Sequence, residues 1–411
     1  MSTKLSSLDL DPRSRYAKGQ SDSAAALRIL HIVAMDCIRS GGPTQLKRLA
    51  IEQVKAGHRV TTVFSKNDKC RNDFRELEEQ SVDVRFLHFD EFRLSLRTVR
   101  AIWMLRRLIR SGEFDLIHAH KGTALDLLFF AALEIRIPIV ANRGMSARLS
   151  WRNAFKYRSK RLSRIIAVAE NVKEILIETG GVDPDKVVVV YGGVDTEVFQ
   201  PGVRSTLRAE LGISDGVRII GNLGSLGGRK GIPELLDAFA RLHADYDDIV
   251  LVMVGATAEQ MAHRKYVIPE HVKPYVYLVP FRQDVPNCLA AFDIFVFSGT
   301  RNEGLTGAVR EAAAMALPIV TTDVGGNREL IKHAKGGLVV PPGDSNALYR
   351  EITRLLKCPE LGKRLGKGAR NAVQTKMTNH DRCDKIIQIY RDVIEEYGAS
   401  RRPPSTLVSS T

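Results

Sequence analysis

The segment Asn302-Glu303-Gly304-Leu305-Thr306-Gly307-Ala308-Val309-Arg310-Glu311 sets two carboxylates around a pair of glycines. A helix beginning near Leu305 would aim its first N–H groups at the same mouth as Glu303 and place Glu311 about two turns along. One carboxylate could then meet the reacting end of a ligand, and the other a hydroxyl-rich part of it. Two further strand-to-helix loops carry glycine. Gly41-Gly42 stands just ahead of a helix, and Gly224-Ser225-Leu226-Gly227-Gly228-Arg229-Lys230-Gly231 precedes the helix that Pro233 opens. Glycine allows close backbone approach to a ligand, and free N–H groups at a helix start attract phosphate. Arg229 and Lys230 add positive charge beside the second loop. The same residues would also fit two ordinary turns with a solvated basic pair.

Other chemistries lack their residues. No GxGxxG follows the first strand and no GxxxxGK[ST] occurs, which speaks against a dinucleotide oxidoreductase and a P-loop enzyme. His118 and His120 share a strand face, but no further ligands are spaced for a metal, so none is expected. The five cysteines are far apart and form no CxxC pair. Neither a disulfide framework nor a cysteine zinc site is expected, and a reducing compartment fits.

The elements that must position these groups alternate regularly. Strands are expected at 27–35, 59–65, 82–87, 116–119, 137–141, 165–168 and 187–190, and again at 217–222, 249–255, 276–279, 294–298, 318–321 and 337–340. Helical stretches lie between them, including 45–55 and 232–243. Runs that are apolar on both faces belong to parallel sheets covered by helices. The chain of 411 residues carries Lys+Arg 61 against Asp+Glu 47, a formal charge of +14 that points to an anionic partner. Its length suits two domains. The expected division is a polar tail at 1–26, α/β domains at 27–199 and 200–378, a helix at 379–397, and a tail at 398–411. No apolar run reaches the length of a membrane span and no secretory signal stands at the start, so a cytoplasmic protein is expected.

Taken together, these landmarks resemble the family 4 glycosyltransferases, retaining enzymes of the GT-B fold with two facing Rossmann-like domains. The resemblance runs from about Arg28 to about Ala372. It rests on Gly41-Gly42, Gly57-His58-Arg59-Val60, the stretch Asp115 to His120, Gly192-Gly193-Val194-Asp195 with Phe199 and Pro201, Lys230-Gly231, Glu303 to Glu311, and Gly325-Gly326 with Glu329. It implies a nucleotide-sugar donor held mainly by the second half. Lys230 matches the lysine at the donor diphosphate, Glu303 the glutamate near the donor sugar, and Glu311 the one that binds the ribose. The backbone of Gly304, Leu305 and Thr306 would hold sugar and phosphate, Gly41 and Gly42 would face the diphosphate, and His120 would lie beside the sugar. The last helix would cross back to the first domain. No metal or other cofactor is implied. Ser225 stands where the family usually has arginine, which leaves Arg229 as the candidate replacement. Ala316 stands at a usual glycine, a change expected to be tolerated on grounds of size.

On the acceptor side, residues 143–164 hold eight basic residues, no acidic one, and Trp151, Phe155 and Tyr157. Residues 93–110 hold six arginines, of which Arg93, Arg97, Arg100 and Arg107 share one helical stripe. Such surfaces suit an anionic bilayer and membrane-proximal work on a lipid-linked acceptor, and the resemblance implies a lipid-linked or surface-polysaccharide glycan. They would also suit solvated helix faces, while nucleic acid is disfavoured. The competing functional readings are a sugar-nucleotide epimerase or hydrolase of the same fold, and a non-catalytic protein that binds sugar nucleotide or anionic lipid.

Overall fold

Short apolar runs separated by helical stretches cannot pair as hairpins, so they line up in parallel with the helices as crossovers. The computed structural model describes residues 25–38, 40–66, 68–88 and 95–399. The expected tails lie almost wholly outside the described residues, and so does Arg93. The first half runs β1 (Arg28–Val33), α1 (Gly41–Lys55), β2 (Arg59–Ser65), α2 (Arg75–Glu79), β3 (Asp83–Leu87), α3 (Leu96–Arg110) and β4 (Leu116–His120). It continues through α4 (Gly122–Ala131), β5 (Ile139–Arg143), α5 (Trp151–Arg158), β6 (Leu162–Ala167), α6 (Glu170–Gly180) and β7 (Val187–Val189). The second half runs α7 (Leu207–Glu210), β8 (Arg218–Leu223), α8 (Ile232–Asp245), β9 (Ile249–Val254), α9 (Ala258–His263), β10 (Val276–Val279) and α10 (Val285–Ala290). Then follow β11 (Ile294–Phe297), α11 (Gly307–Ala314), β12 (Ile319–Thr322), α12 (Asn327–Ala334) and β13 (Leu338–Val340). Three helices end the described residues: α13 (Ser345–Lys357), α14 (Pro359–Lys376) and α15 (Asn379–Ala399).

All strand pairings among the described residues are parallel. The sheets have the orders β3-β2-β1-β4-β5-β6-β7 and β10-β9-β8-β11-β12-β13. Each therefore reverses direction of winding once, at β1/β4 and at β8/β11, and the loops leaving those strands open a crevice at their carboxyl ends. Strand β5 starts at Ile139, two residues later than expected, because Pro138 has no N–H to give the ladder; its carbonyl still accepts from Ile117 N at 3.0 Å. One face of the first sheet packs on α3, α4, α5 and α6 through residues such as Leu105, Leu125, Tyr157 and Leu176. The other packs on α1, α2 and α15 through Leu46, Leu77 and Tyr390.

Two chain segments join the halves, and they lie side by side. Val194 N donates to Met377 O at 2.9 Å, and Asn379 N donates to Val194 O at 3.1 Å. From that point α15 packs on α1 and β6 of the first lobe.

The cysteine expectation needs correction. Cys37, in the loop after β1, forms a disulfide with Cys70, in the turn after β2, with Cα atoms 5.4 Å apart. Parallel neighbours β1 and β2 deliver both loops to the same sheet end, a proximity that sequence spacing hides. Cys288 and Cys383 are free and buried, whereas Cys358 is free and exposed.

Candidate active site between the lobes

The glycine loop of the second lobe folds back on the end of β11. Gly231 takes φ +61°, and a side chain there would collide with the Ser298 carbonyl. Ser298 Oγ donates to Lys230 O at 2.8 Å, and Thr300 N to Arg229 O at 2.8 Å. These bonds aim Lys230 at the Glu303 carboxylate, where Nζ and Oε1 stand 2.8 Å apart and both side chains are mostly covered. Arg229 contributes its carbonyl to this arrangement. A cavity of about 360 Å3 opens beside the same loop, lined by Ser225, Gly227, Glu259, His263 and Arg264. Arg264, on the residue after α9, thus brings a cation to the loop that lacks arginine at 225, and nothing in the linear spacing marked it.

Helix α11 starts at Gly307, two residues later than expected, with Thr306 as its extended N-cap. The delay comes from Asn327, fully buried at the start of α12, whose Oδ1 accepts Thr306 N at 3.0 Å while its Nδ2 donates to Thr321 Oγ1 at 3.1 Å. The Thr306 hydroxyl is buried without a hydrogen-bond partner. Arg310, also buried, donates to Leu305 O at 2.7 Å, and burial draws its guanidinium down to about 9. Glu311 faces the first lobe, where Arg48 Nη2 meets its Oε1 at 3.0 Å.

In the first lobe, Gly41 and Gly42 do not precede α1 but form its first turn, after Ser40 as N-cap. An added Cβ at either would meet nothing within 4 Å, so this turn faces open space. His120 ends β4 beside Asn142 of β5. Register places His31 of β1 opposite His118, and the three imidazoles of His31, His118 and His120 cluster on the α1/α15 face, all buried. Desolvation holds His31 near 4 and keeps His118 and His120 well below the ordinary value. Three imidazole nitrogens within 4.8 Å of one another form a metal-like set that the sequence pattern missed. Two facts oppose a cation there: His31 Nδ1 and His120 Nε2 share one proton at 3.0 Å, and the buried Arg382 guanidinium bears on all three rings.

The lobes meet through small residues and backbone. Ser146 N donates to Glu303 O at 3.1 Å. A Cβ on Gly304 would stand 2.6 Å from the Gly144 carbonyl and 2.7 Å from Val168, so only glycine fits. Helix α6 has Ala169 at its N-cap and no side-chain cap of its own. Glu329 of the second lobe supplies one, accepting from Glu170 N and Asn171 N at 2.9 Å each. Gln45 of α1 clasps Gly193 of the joining segment, donating to its carbonyl and accepting from its N–H at 2.9 Å. Arg48 and Asn327 thus hold Glu311 and Thr306, while Gln45 and Arg264 lie on the joining segment and beside the glycine loop; sequence reasoning did not single out these four.

The basic segments are partly spent on the fold. In 143–164, Arg143, Arg158 and Arg161 donate to backbone carbonyls, while Lys156 pairs with Asp126 and Arg164 with Glu396. Tyr157 is core, not surface. What remains outward is Arg148, Arg152, Lys160, Trp151 and Phe155. On α3, residues Leu96, Arg100, Trp103, Arg107 and Arg110 face out.

Family models match both halves of the chain. The one described as Glycosyltransferase Family 4 covers residues 39–198, and the one described as Glycosyl transferases group 1 covers 203–372. The chain belongs to the family 4, group 1 glycosyltransferases. Relatives of this glycosyltransferase include YtcC of Bacillus subtilis strain 168, 28% identical over 314 residues that span 72% of this chain and 77% of that one. Another is the UDP-Gal:alpha-D-GlcNAc-diphosphoundecaprenol alpha-1,3-galactosyltransferase of Escherichia coli, 26% identical over 315 residues, or 73% of this chain and 81% of that one. Among solved structures, Anabaena HepE in complex with UDP and glucose superimposes with a TM-score of 0.75 at 20% identity, covering 89% of this chain and 99% of that one. This glycosyltransferase therefore has the GT-B architecture of two facing Rossmann-like domains. No helix among its described residues is long and apolar enough to cross a membrane.

Proposed function

We propose that the protein is a retaining glycosyltransferase that moves a sugar from a uridine-diphosphate sugar to a lipid-linked or surface-polysaccharide glycan. One observation carries the reading: Lys230 and Glu303, from two different loops, meet at 2.8 Å where α11 begins and where the first lobe touches Glu303. A diphosphate would face the Lys230 ammonium and the amides of Gly304, Leu305 and α11. Thr306 offers its hydroxyl, since its N–H is already held by Asn327. Glu303 would lie at the donor sugar with His120, and Glu311 at the ribose hydroxyls. Gly41 and Gly42 would approach the diphosphate from the open first turn of α1, and Arg229 would add charge. The uridine and the lipid-linked acceptor are supported by the donor and acceptor in the name of the Escherichia coli relative.

In the transition state the sugar gains positive and the diphosphate negative charge, so fixed cations and amides act where charge develops. The acceptor oxygen bonds to the anomeric carbon on the face the diphosphate leaves. As the carbon–phosphate oxygen bond breaks, the departing diphosphate takes the acceptor's proton. Protein groups carry the phosphate charge in this scheme, so chelating agents should leave turnover unchanged. Glu303→Ala should lower kcat by about 100-fold or more while the protein stays folded; near-normal turnover overturns the assignment. Donor consumption without an acceptor would favour a hydrolase or epimerase instead.

The reading includes attachment to the inner face of the membrane. Helices α3, α4 and α5 pack side by side, and their outer surfaces expose Leu96, Trp103, Phe130, Trp151 and Phe155 among Arg100, Arg107 and Arg152. Aromatics inserted at headgroup depth with arginines on anionic lipid is the interfacial pattern. Flotation with anionic vesicles should carry the protein, and Trp151→Ala/Phe155→Ala should weaken it; absence of binding to anionic vesicles removes the membrane from the reading.

A further inference from the structure

His120 is held by a hydrogen-bonded chain that begins on a different element. Gln53 of α1, fully buried, presents its Oε1 to His31 Nε2 at 2.8 Å. With the Gln53 amide turned so that its oxygen accepts, the His31 proton sits on Nε2 and its Nδ1 is a bare lone pair. That lone pair faces His120 Nε2 at 3.0 Å, and the proton between them therefore belongs to His120. His120 Nδ1 is left as the ring's unprotonated nitrogen. A buried neutral ring suits this chain, because a protonated His31 would aim a second N–H at His120 instead of accepting from it.

We infer that His31 and Gln53 are positioning residues for His120, fixing its ring orientation and leaving its Nδ1 as a hydrogen-bond acceptor for a hydroxyl of the donor sugar. This rests on the reading of His120 as a residue beside that sugar. The groups bearing on His31 are His118 and His120 from β4, Gln53 from α1, and Arg382 with Tyr390 from α15. Tyr390 is engaged by His118 Nδ1 at 2.5 Å, so it does not compete for His31. Arg382 opposes any positive charge on the cluster. The neighbours thus reinforce a neutral, singly directed chain.

The test uses the full chain with saturating donor and three variants. His120→Ala should lose most of its turnover. His31→Leu should lower kcat by about 10-fold to 100-fold while donor KM changes about twofold or less, as misoriented catalytic groups do. Gln53→Glu keeps an acceptor toward His31 but puts a carboxylate beside it, which raises the pH at which His31 takes a proton. Its kcat should therefore fall on the acid side at a higher pH than that of the wild type, a shift that a histidine serving only the core would not produce. Normal kcat in His31→Leu together with an unmoved profile in Gln53→Glu overturns the relay. Normal turnover in His120→Ala overturns the site reading itself, and the relay with it.

Discussion

Arg48 and Glu311 join the two lobes at 3.0 Å, each from a helix whose first turn faces the crevice. Glu311 thus has two claims on it: the guanidinium across the cleft, and the ribose hydroxyls that the proposed donor would bring. The claims separate by mutation. Glu311→Ala should raise donor KM about 10-fold or more, since a buried hydroxyl left without its partner is costly. Arg48→Ala keeps the carboxylate and should change KM only a few-fold. Equal effects in steady-state kinetics would mean that Glu311 serves only as Arg48's partner.

Glu329 acts as the cap that α6 lacks. Glu329→Ala removes the acceptor of two amide hydrogens and should cost about 1 kcal/mol, with a wider angular spread between the lobes in small-angle scattering. Glu329→Gln retains an amide oxygen and should lose less. Identical urea midpoints for wild type and Glu329→Ala would refute the cap.

Ala316 has φ +58°, a left-handed backbone, so size alone does not measure the change from glycine. Conformation, not volume, is what a glycine would relieve. Ala316→Gly should stabilise by about 0.5–1 kcal/mol and raise Tm by about 2 °C. A lower Tm would show that the loop depends on the alanine methyl.

The buried histidines set a pH dependence of stability. Burial lowers His31 from 6.5 to about 4 in the folded chain, so the unfolded chain takes the proton first. Stability is full above 6.5 and declines as pH falls toward 4, by roughly 3 kcal/mol from His31 alone. His118 and His120 act in the same direction. Urea midpoints should fall between about pH 7 and about pH 4.5, and His31→Leu should flatten that decline. A slope unchanged in the variant would sink the assignment.

Much of the architecture was readable because apolar runs of strand length punctuated by helical stretches have few parallel arrangements. Lys230, Glu303 and Glu311 stood out because charge beside glycine at a helix start has few purposes. What sequence could not show depends on the other lobe. Arg48 and Glu329 look like helix-surface charges until the partner lobe is in place. Ala169 did leave a signal, since a helix start without a capping residue calls for a cap from elsewhere. Cys37 and Cys70 looked isolated because 33 residues separate loops that neighbouring strands bring together. The basic stretch at 143–164 overstated the surface charge, because carbonyls at the ends of α4 and α6 absorb several of its side chains.

The adjacency of Val194 to Met377 and Asn379 restricts how this molecule can move. Two covalent tethers running along one line act as a door's pin: the halves can swing about it, but sliding past each other would tear one tether from its neighbour. Any swing about that line would move the far rim of the crevice most and the Gln45–Gly193 clasp beside it least.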